Sequence, residues 1–153
     1  MDNHDEKDLL LQDLCARLPY GVKVDIPDLF ISTKTNIEVL NEIFCGDDDE
    51  FRCNGSGMLI KHVKPYLFPL SSMTEEQRIE LYKALGCGYE SHYHLSKEWE
   101  DFNDSIDNNG LFIPATWVSD INKMYNWLNK NHFDYRGLIP MGLANDATEL
   151  NIY

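Results

Sequence analysis

The sequence lacks the features that mark membrane-spanning and exported proteins. Its apolar runs, such as residues 9–11, are only a few residues long, whereas a membrane-spanning helix needs about 18. The first residues are acidic, where a secretory signal would be basic and then apolar. We therefore expect a soluble protein that stays in the cytoplasm and does not bind membranes.

Catalytic motifs are also absent. The chain contains no G-x-S-x-G elbow, no Walker A loop and no GxGxxG turn. Residues 101–112 resemble a calcium-binding loop, but Ile106 and Phe112 stand where the loop needs Gly and Glu. The sequence accordingly predicts a protein that is not an enzyme and that carries no cofactor.

Cysteine and histidine are scarce, and one short segment contains three of the nine. The four cysteines form no CxxC pair. In an extended chain His92 and His94 would point to the same face, and Cys87 or Glu90 could supply a third ligand. Cys87, His92 and His94 are therefore the candidate metal site, and a metal-dependent enzyme built on them is one alternative function. The other interpretation is two exposed histidines in a loop.

Basic residues are scarce as well, with 13 Lys and Arg against 26 Asp and Glu, for a net charge of −13. Such a surface repels phosphates over a screening length of about 8 Å, so direct binding of nucleic acid is disfavoured. The acidic surplus is strongest in residues 1–50. A second alternative function is an acidic mimic or adaptor that docks on a basic host protein. Net charge also has a simpler interpretation as solubility.

Periodicity of the apolar residues predicts helices and strands. Leucine stripes predict a helix over residues 5–18, and the capping box at residues 74–77 predicts the start of a second. A third helix is predicted over residues 117–130. Residues 20–64 alternate as strands do, and residues 58–63 form the clearest strand.

These elements predict an α+β fold. We expect a small antiparallel β meander, SH3-like and partly open, flanked by about three helices. A single domain spans residues 1–153, with an N-terminal helix in 1–19, the meander in 20–64 and a helical, aromatic-rich second half in 65–153. Residues 89–113 have no clear periodicity and predict no element.

Aromatic residues are concentrated in the second half, where ten of the eighteen lie between Tyr89 and Tyr135. Aromatic rings form cores, but Trp and Tyr also favour interfaces and can stack on a nucleobase. Basic side chains would hold a phosphate group. The candidate ligand-binding residues are therefore Trp99, Trp117, Trp127, Tyr135, Arg136, Lys61 and Lys64.

Three stretches carry a resemblance: DLLLQDLCARLPYGVK at 8–23, KPYLFPLSSMTEE at 64–76 and NHFDYRGLIPMGLA at 131–144. Together they resemble a family of short uncharacterised proteins from gut Bacteroides-type bacteria and their phages. The resemblance covers roughly a third of the chain and implies no catalytic residues. It implies a small accessory protein of a phage or mobile element, located in the host cytoplasm if a phage encodes it.

The leading functional hypothesis is a non-enzymatic binding protein. It would sequester a small nucleotide-like ligand or a host protein, in the manner of a counter-defence factor, and it could form a homo-oligomer. The absent catalytic motifs and the aromatic second half motivate this hypothesis.

Overall fold

The computed structural model describes residues 2–27, 35–54, 57–86, 96–117 and 120–153. The helices in these residues are α1 (Asn3–Arg17), α2 (Glu75–Ala84), α3 (Lys97–Asp107) and α4 (Ile121–Lys130). The strands are β1 (Lys23–Pro27), β2 (Thr35–Val39), β3 (Ile43–Cys45), β4 (Phe51–Cys53), β5 (Met58–Leu59), β6 (Lys64–Leu67) and β7 (Asn145–Asp146). The predicted α+β class is confirmed. No helix within the described ranges is long and apolar enough to cross a membrane.

The chain divides into two compact units. Unit 1 contains Met1–Leu67 and Leu138–Tyr153, and unit 2 contains Phe68–Gly137. Each unit has its own cluster of buried apolar side chains. The assignment of one domain to the whole chain stays a prediction.

The strands of unit 1 form two sheets rather than one continuous meander. One sheet has the order β2-β1-β6-β7, and the other is the antiparallel meander β3-β4-β5. The first sheet is antiparallel except for β6 and β7, which pair in parallel. Local alternation in the sequence carries no information about β7, because its pairing partner is almost 80 residues away in the chain.

The strand predicted over residues 58–63 ends early. Only β5 is extended, and Ile60–His62 form a turn of 3-10 helix. Ile60 and Val63 are both fully buried. A spacing of three places both side chains on one side of a helical turn, whereas strand alternation would place them on opposite faces.

The core of unit 1 packs α1 against the first sheet. Its buried apolar members include Leu10, Leu14, Val24, Ile26, Leu40, Ile60 and Leu67. A buried ion pair also belongs to this unit: Arg17 Nε donates to Asp13 Oδ2 at 2.8 Å, and Arg17 Nη2 donates to Asp13 Oδ1 at 3.0 Å. Both side chains are fully buried. The fork geometry compensates for part of the large desolvation cost of burying two charges.

The hydroxyl of Tyr153 joins β1 to β6 at the end of their ladder. It accepts a hydrogen bond from Lys23 N at 2.9 Å and donates to Tyr66 O at 2.8 Å. Burial raises the pKa of Tyr153 to about 12. The C-terminal segment is thereby attached to the first sheet of unit 1.

The helices of unit 2 surround an apolar cluster that is rich in aromatic rings. The Thr74–Gln77 capping box predicted from the sequence starts α2. Helix α3 begins at Ser96, whose side chain accepts from Trp99 N, and it buries Trp99, Phe102 and Ile106. Helix α4 begins after Asp120 and buries Met124 and Leu128.

Asn54 connects the two sheets of unit 1. Its Oδ1 accepts from Asn41 N at 2.9 Å, and its Nδ2 donates to Val39 O at 3.1 Å. Its own backbone N donates to Glu42 O at 3.1 Å. The residue is buried and has a φ of 50°, in the left-handed region. Asn is among the few non-glycine residues that adopt this conformation readily.

Replacing Asn54 tests this connection. We expect Asn54→Gly to lower the free energy of unfolding by about 1–3 kcal/mol, because the side-chain hydrogen bonds are lost while the backbone stays relaxed. Asn54→Ala should cost about 1 kcal/mol more, since alanine is strained at positive φ. Urea denaturation of both variants measures the difference. A glycine variant as stable as the wild type would contradict the role assigned to the amide.

Candidate functional site

Two of the candidate tryptophans lie in the core of unit 2. Trp99 and Trp117 are each only 8% exposed. Their rings pack with Tyr82 and Phe102: the Tyr82 and Trp117 centroids are 4.8 Å apart at 90°, and the Phe102 and Trp117 centroids are 5.4 Å apart. These edge-to-face contacts stabilise a folded interior. The indoles present little surface on which a ligand could stack.

A cleft of about 320 Å³ opens beside Trp99 and is lined also by Met73, Glu75, Arg78 and Asn103. Its arginine is already engaged in the fold. Arg78 donates to Met73 O at 3.1 Å, to Asn103 Oδ1 at 3.0 Å and to Asp107 Oδ1 at 2.6 Å. Because Asp107 offsets its charge and Glu75 adds a negative one, this cleft is poorly suited to an anion.

The chain reverses sharply after α4. His132 has a φ of 60°, and backbone hydrogen bonds join Phe68 N to His132 O at 2.9 Å and Asp134 N to Phe68 O at 2.8 Å. The Phe133 ring then stacks on Trp127, with centroids 5.7 Å apart and planes within 9°. The candidate residue Trp127 thus serves to hold the returning segment against α4.

This reversal brings Tyr135 and Arg136 beside α4. The Tyr135 ring lies 5.3 Å from that of Tyr125, and its hydroxyl donates to Asn129 Oδ1 at 3.0 Å. The Arg136 guanidinium lies over the Tyr135 ring, 5.1 Å from its centroid. We call Tyr125, Tyr135 and Arg136 the tyrosine–arginine surface. It contains two of the candidate ligand residues in direct contact.

The electrostatic setting of this surface differs from that of the whole protein. Residues 121–137 contain three basic residues, Lys123, Lys130 and Arg136, against one acidic residue, Asp134. The Asp134 side chain is buried, whereas Lys123 and Lys130 are exposed. Residues 121–137 thus carry a net charge of +2 in a chain whose net charge is −13, which favours the approach of an anion.

Lys61 and Lys64 belong to unit 1. Both are exposed. Lys61 follows β5 in the 3-10 turn, where its charge helps Lys7 to hold the pKa of Glu50 below its usual value. Lys64 lies across from Asp25 in the sheet register. The tyrosine–arginine surface belongs to unit 2.

The candidate metal ligands Cys87, His92 and His94 lie outside the described residues. Among the residues that are described, no group of three or more His, Cys, Asp or Glu side chains is arranged to hold a metal ion. The metal site stays a prediction from the sequence.

Models of protein families, curated proteins and solved structures were all compared with this chain, and none of them matches it. We therefore infer the function from the chemistry of the site.

Tyr125 is the member of the surface that sequence reasoning missed. Periodicity places it on the apolar face of the predicted third helix, but it is 38% exposed. Ile121, one turn earlier, is 50% exposed. The spacing of apolar residues in α4 does indicate this exposure. Met124 and Leu128 form the buried stripe, and Ile121 and Tyr125 form a second apolar pair beside it.

The two tyrosine hydroxyls give a matched test of this geometry. Tyr135→Phe should lower the free energy of unfolding by about 1–2 kcal/mol, because the buried Asn129 amide loses a partner. Tyr125→Phe should change it by less than about 0.5 kcal/mol, because the exposed Tyr125 hydroxyl has no hydrogen-bond partner within the described residues. Thermal or urea denaturation measures both. Equal effects of the two substitutions would show that the Tyr135–Asn129 bond is not formed.

Proposed function

We propose that the protein is a non-enzymatic binding protein that captures a nucleotide-like ligand on the tyrosine–arginine surface. The observation that carries the proposal is the Arg136 guanidinium stacked over Tyr135, next to the exposed ring of Tyr125. An aromatic face and a guanidinium in contact match the two halves of a nucleotide, its base and its phosphate.

Each side chain has a distinct part in this proposal. The exposed ring of Tyr125 stacks on the base, since every nucleobase offers a π-face. Arg136 donates to phosphate oxygens, which its planar fork can bind in pairs. Because Arg136 already contacts Tyr135, its side chain has fewer rotamers to lose when it binds a phosphate. The hydrogen bond from Tyr135 to Asn129 fixes the Tyr135 ring. The positive charge of residues 121–137 favours the encounter with an anion.

The biological role follows from the resemblance given above. A phage or mobile-element accessory protein with this surface would lower the free concentration of a nucleotide signal by holding it. Such sequestration needs no chemical step, which agrees with the absence of catalytic motifs from the sequence.

Isothermal titration calorimetry against nucleoside monophosphates and cyclic mono- and dinucleotides tests the proposal. We expect at least one to bind, and Arg136→Gln to raise its Kd by about tenfold or more. Arg136→Lys should give an intermediate loss, since it keeps the charge and loses the planar fork.

Lys123→Gln is the matched control, because it makes the same change in charge on an exposed residue two positions before Tyr125, on another side of α4. We expect it to raise the Kd by no more than about twofold, through the loss of long-range attraction alone. The absence of both heat and thermal stabilisation across the panel would contradict the proposal. Equal losses in the Arg136 and Lys123 variants would also contradict it.

A second candidate function is docking on a basic protein, and a specific contact in unit 1 favours it. Lys7 Nζ lies 2.6 Å from Glu50 Oε2 and links the start of α1 to the turn between β3 and β4. The contact brings the acidic turn of Asp47, Asp48 and Asp49 close to the N-terminal half of α1, where the exposed acids are Asp2, Asp5 and Asp8. This arrangement extends an acidic surface across two parts of the sequence.

Binding to an immobilised lysine-rich peptide at low and high salt tests the second candidate. The double variant Asp47→Asn, Asp49→Asn should weaken retention, and Asn is well suited to the φ of 58° at position 49. The control Glu76→Gln, Glu80→Gln makes the same change in charge on α2 and should weaken it less. If both double variants weaken retention equally, the peptide responds only to net charge and the acidic surface has no special role.

A further inference from the structure

The edge of the first sheet of unit 1 presents backbone groups outward. Leu40 N donates to Val22 O at 2.8 Å, so these two residues form a hydrogen-bonded pair. In an antiparallel ladder, hydrogen-bonded pairs alternate with non-hydrogen-bonded pairs. The next hydrogen-bonded pair along this register is therefore Val24 with Glu38. The backbone groups of Ile37 and Val39 consequently point away from β1, toward the free edge of β2.

One of these outward groups has a partner within the unit. Asn54 Nδ2 donates to Val39 O at 3.1 Å. The N–H and C=O of Ile37 and the N–H of Val39 have no strand beside them among the described residues, because β2 is the first strand in the order β2-β1-β6-β7. Among the described residues, these three groups of Ile37 and Val39 thus remain for pairing with an added strand.

The side chains of β2 give this edge a recognisable chemistry. Ile37 and Val39 are 44% and 40% exposed and share one face of the sheet, on which Asp25 lies across from Ile37. Glu38 is exposed on the opposite face. Natural edge strands are usually protected by lysine, proline or a bulge. Strand β2, with the sequence TNIEV, carries none of these, and its one charged side chain is Glu38, whose Oε2 accepts a hydrogen bond from Asn54 Nδ2 at 3.4 Å.

We propose that β2 is a docking edge for an extended segment of a partner protein in which apolar residues alternate with Lys or Arg. The apolar residues would cover Ile37 and Val39, and the basic ones would face Glu38. The three outward backbone groups would extend the sheet by one strand. This inference concerns unit 1 and does not depend on nucleotide binding by unit 2.

Charge selects this partner over a second copy of the chain. Unit 1 contains 15 acidic residues against seven basic ones. Pairing two β2 strands would bring two copies of that charge and of Glu38 together, and like charges across a sheet are destabilising. A basic segment gains attraction at the same position.

Binding of a fluorescently labelled heptapeptide of alternating lysine and valine, followed by fluorescence anisotropy, tests the proposal. The wild-type protein should bind it, and an alternating glutamate–valine peptide should bind at least about tenfold more weakly. Two further peptides carry N-methyl groups, one on its lysines and the other on its valines. Because the N–H groups of alternate residues point to opposite edges of a strand, each peptide has one edge blocked. Exactly one of these two should lose binding. If both keep or both lose binding, pairing at the edge of β2 is excluded.

Variants locate the site on the protein. Ile37→Pro removes an outward N–H that the ladder with β1 does not use, and it should weaken binding about tenfold or more. Ile37→Val keeps that N–H and should bind nearly as the wild type does. Unchanged binding by a folded Ile37→Pro variant would overturn the proposal, and the N-methylated peptides decide the matter if that variant does not fold. Self-association of the wild type that Ile37→Pro abolishes would also overturn it, in favour of a second copy.

Discussion

The candidate site depends on the reversal of the chain at His132. A non-glycine residue in the left-handed region costs free energy, and this one is held by two backbone hydrogen bonds to Phe68 and by the stack of Phe133 on Trp127. Without the reversal, Tyr135 would not meet Tyr125. The strain at one residue is thus the condition for a surface built from two separate segments.

In unit 1, a buried polar side chain likewise holds separate segments together. Asn54 is a single buried amide that connects two sheets, and it also covers one of the backbone carbonyls at the edge of β2. The fully buried pair of Asp13 and Arg17 lies inside the same unit. Buried ion pairs contribute little net stability compared with apolar residues, because desolvation cancels most of the attraction. The packing of α1 on the first sheet accounts for the stability of this region more directly.

Local signals in the sequence predicted the α+β class, the capping box of α2 and most of α1. Helix α3 was missed, although Ser96 and the spacing of Trp99, Phe102 and Ile106 are typical of a capped amphipathic helix. The parallel pairing of β7 and the return of Tyr135 to α4 depend on contacts between distant residues or on backbone strain. Periodicity does not encode either of them. Arg136 was recognised by residue type alone. The Ile121–Tyr125 pair was visible in the spacing of apolar residues, but the contact between Tyr125 and Tyr135 required the fold.

The most direct test of the central claim is a nuclear magnetic resonance titration of the labelled protein with the nucleotide that binds most tightly. The Arg136 Nε–H resonance and the ring protons of Tyr125 and Tyr135 should shift together with one Kd, while the resonances of Trp99 and Arg78, which line the other cleft of unit 2 described above, stay unchanged. Shifts confined to Trp99 and Arg78 would contradict the tyrosine–arginine surface as the binding site, and so would saturation without any change at Arg136.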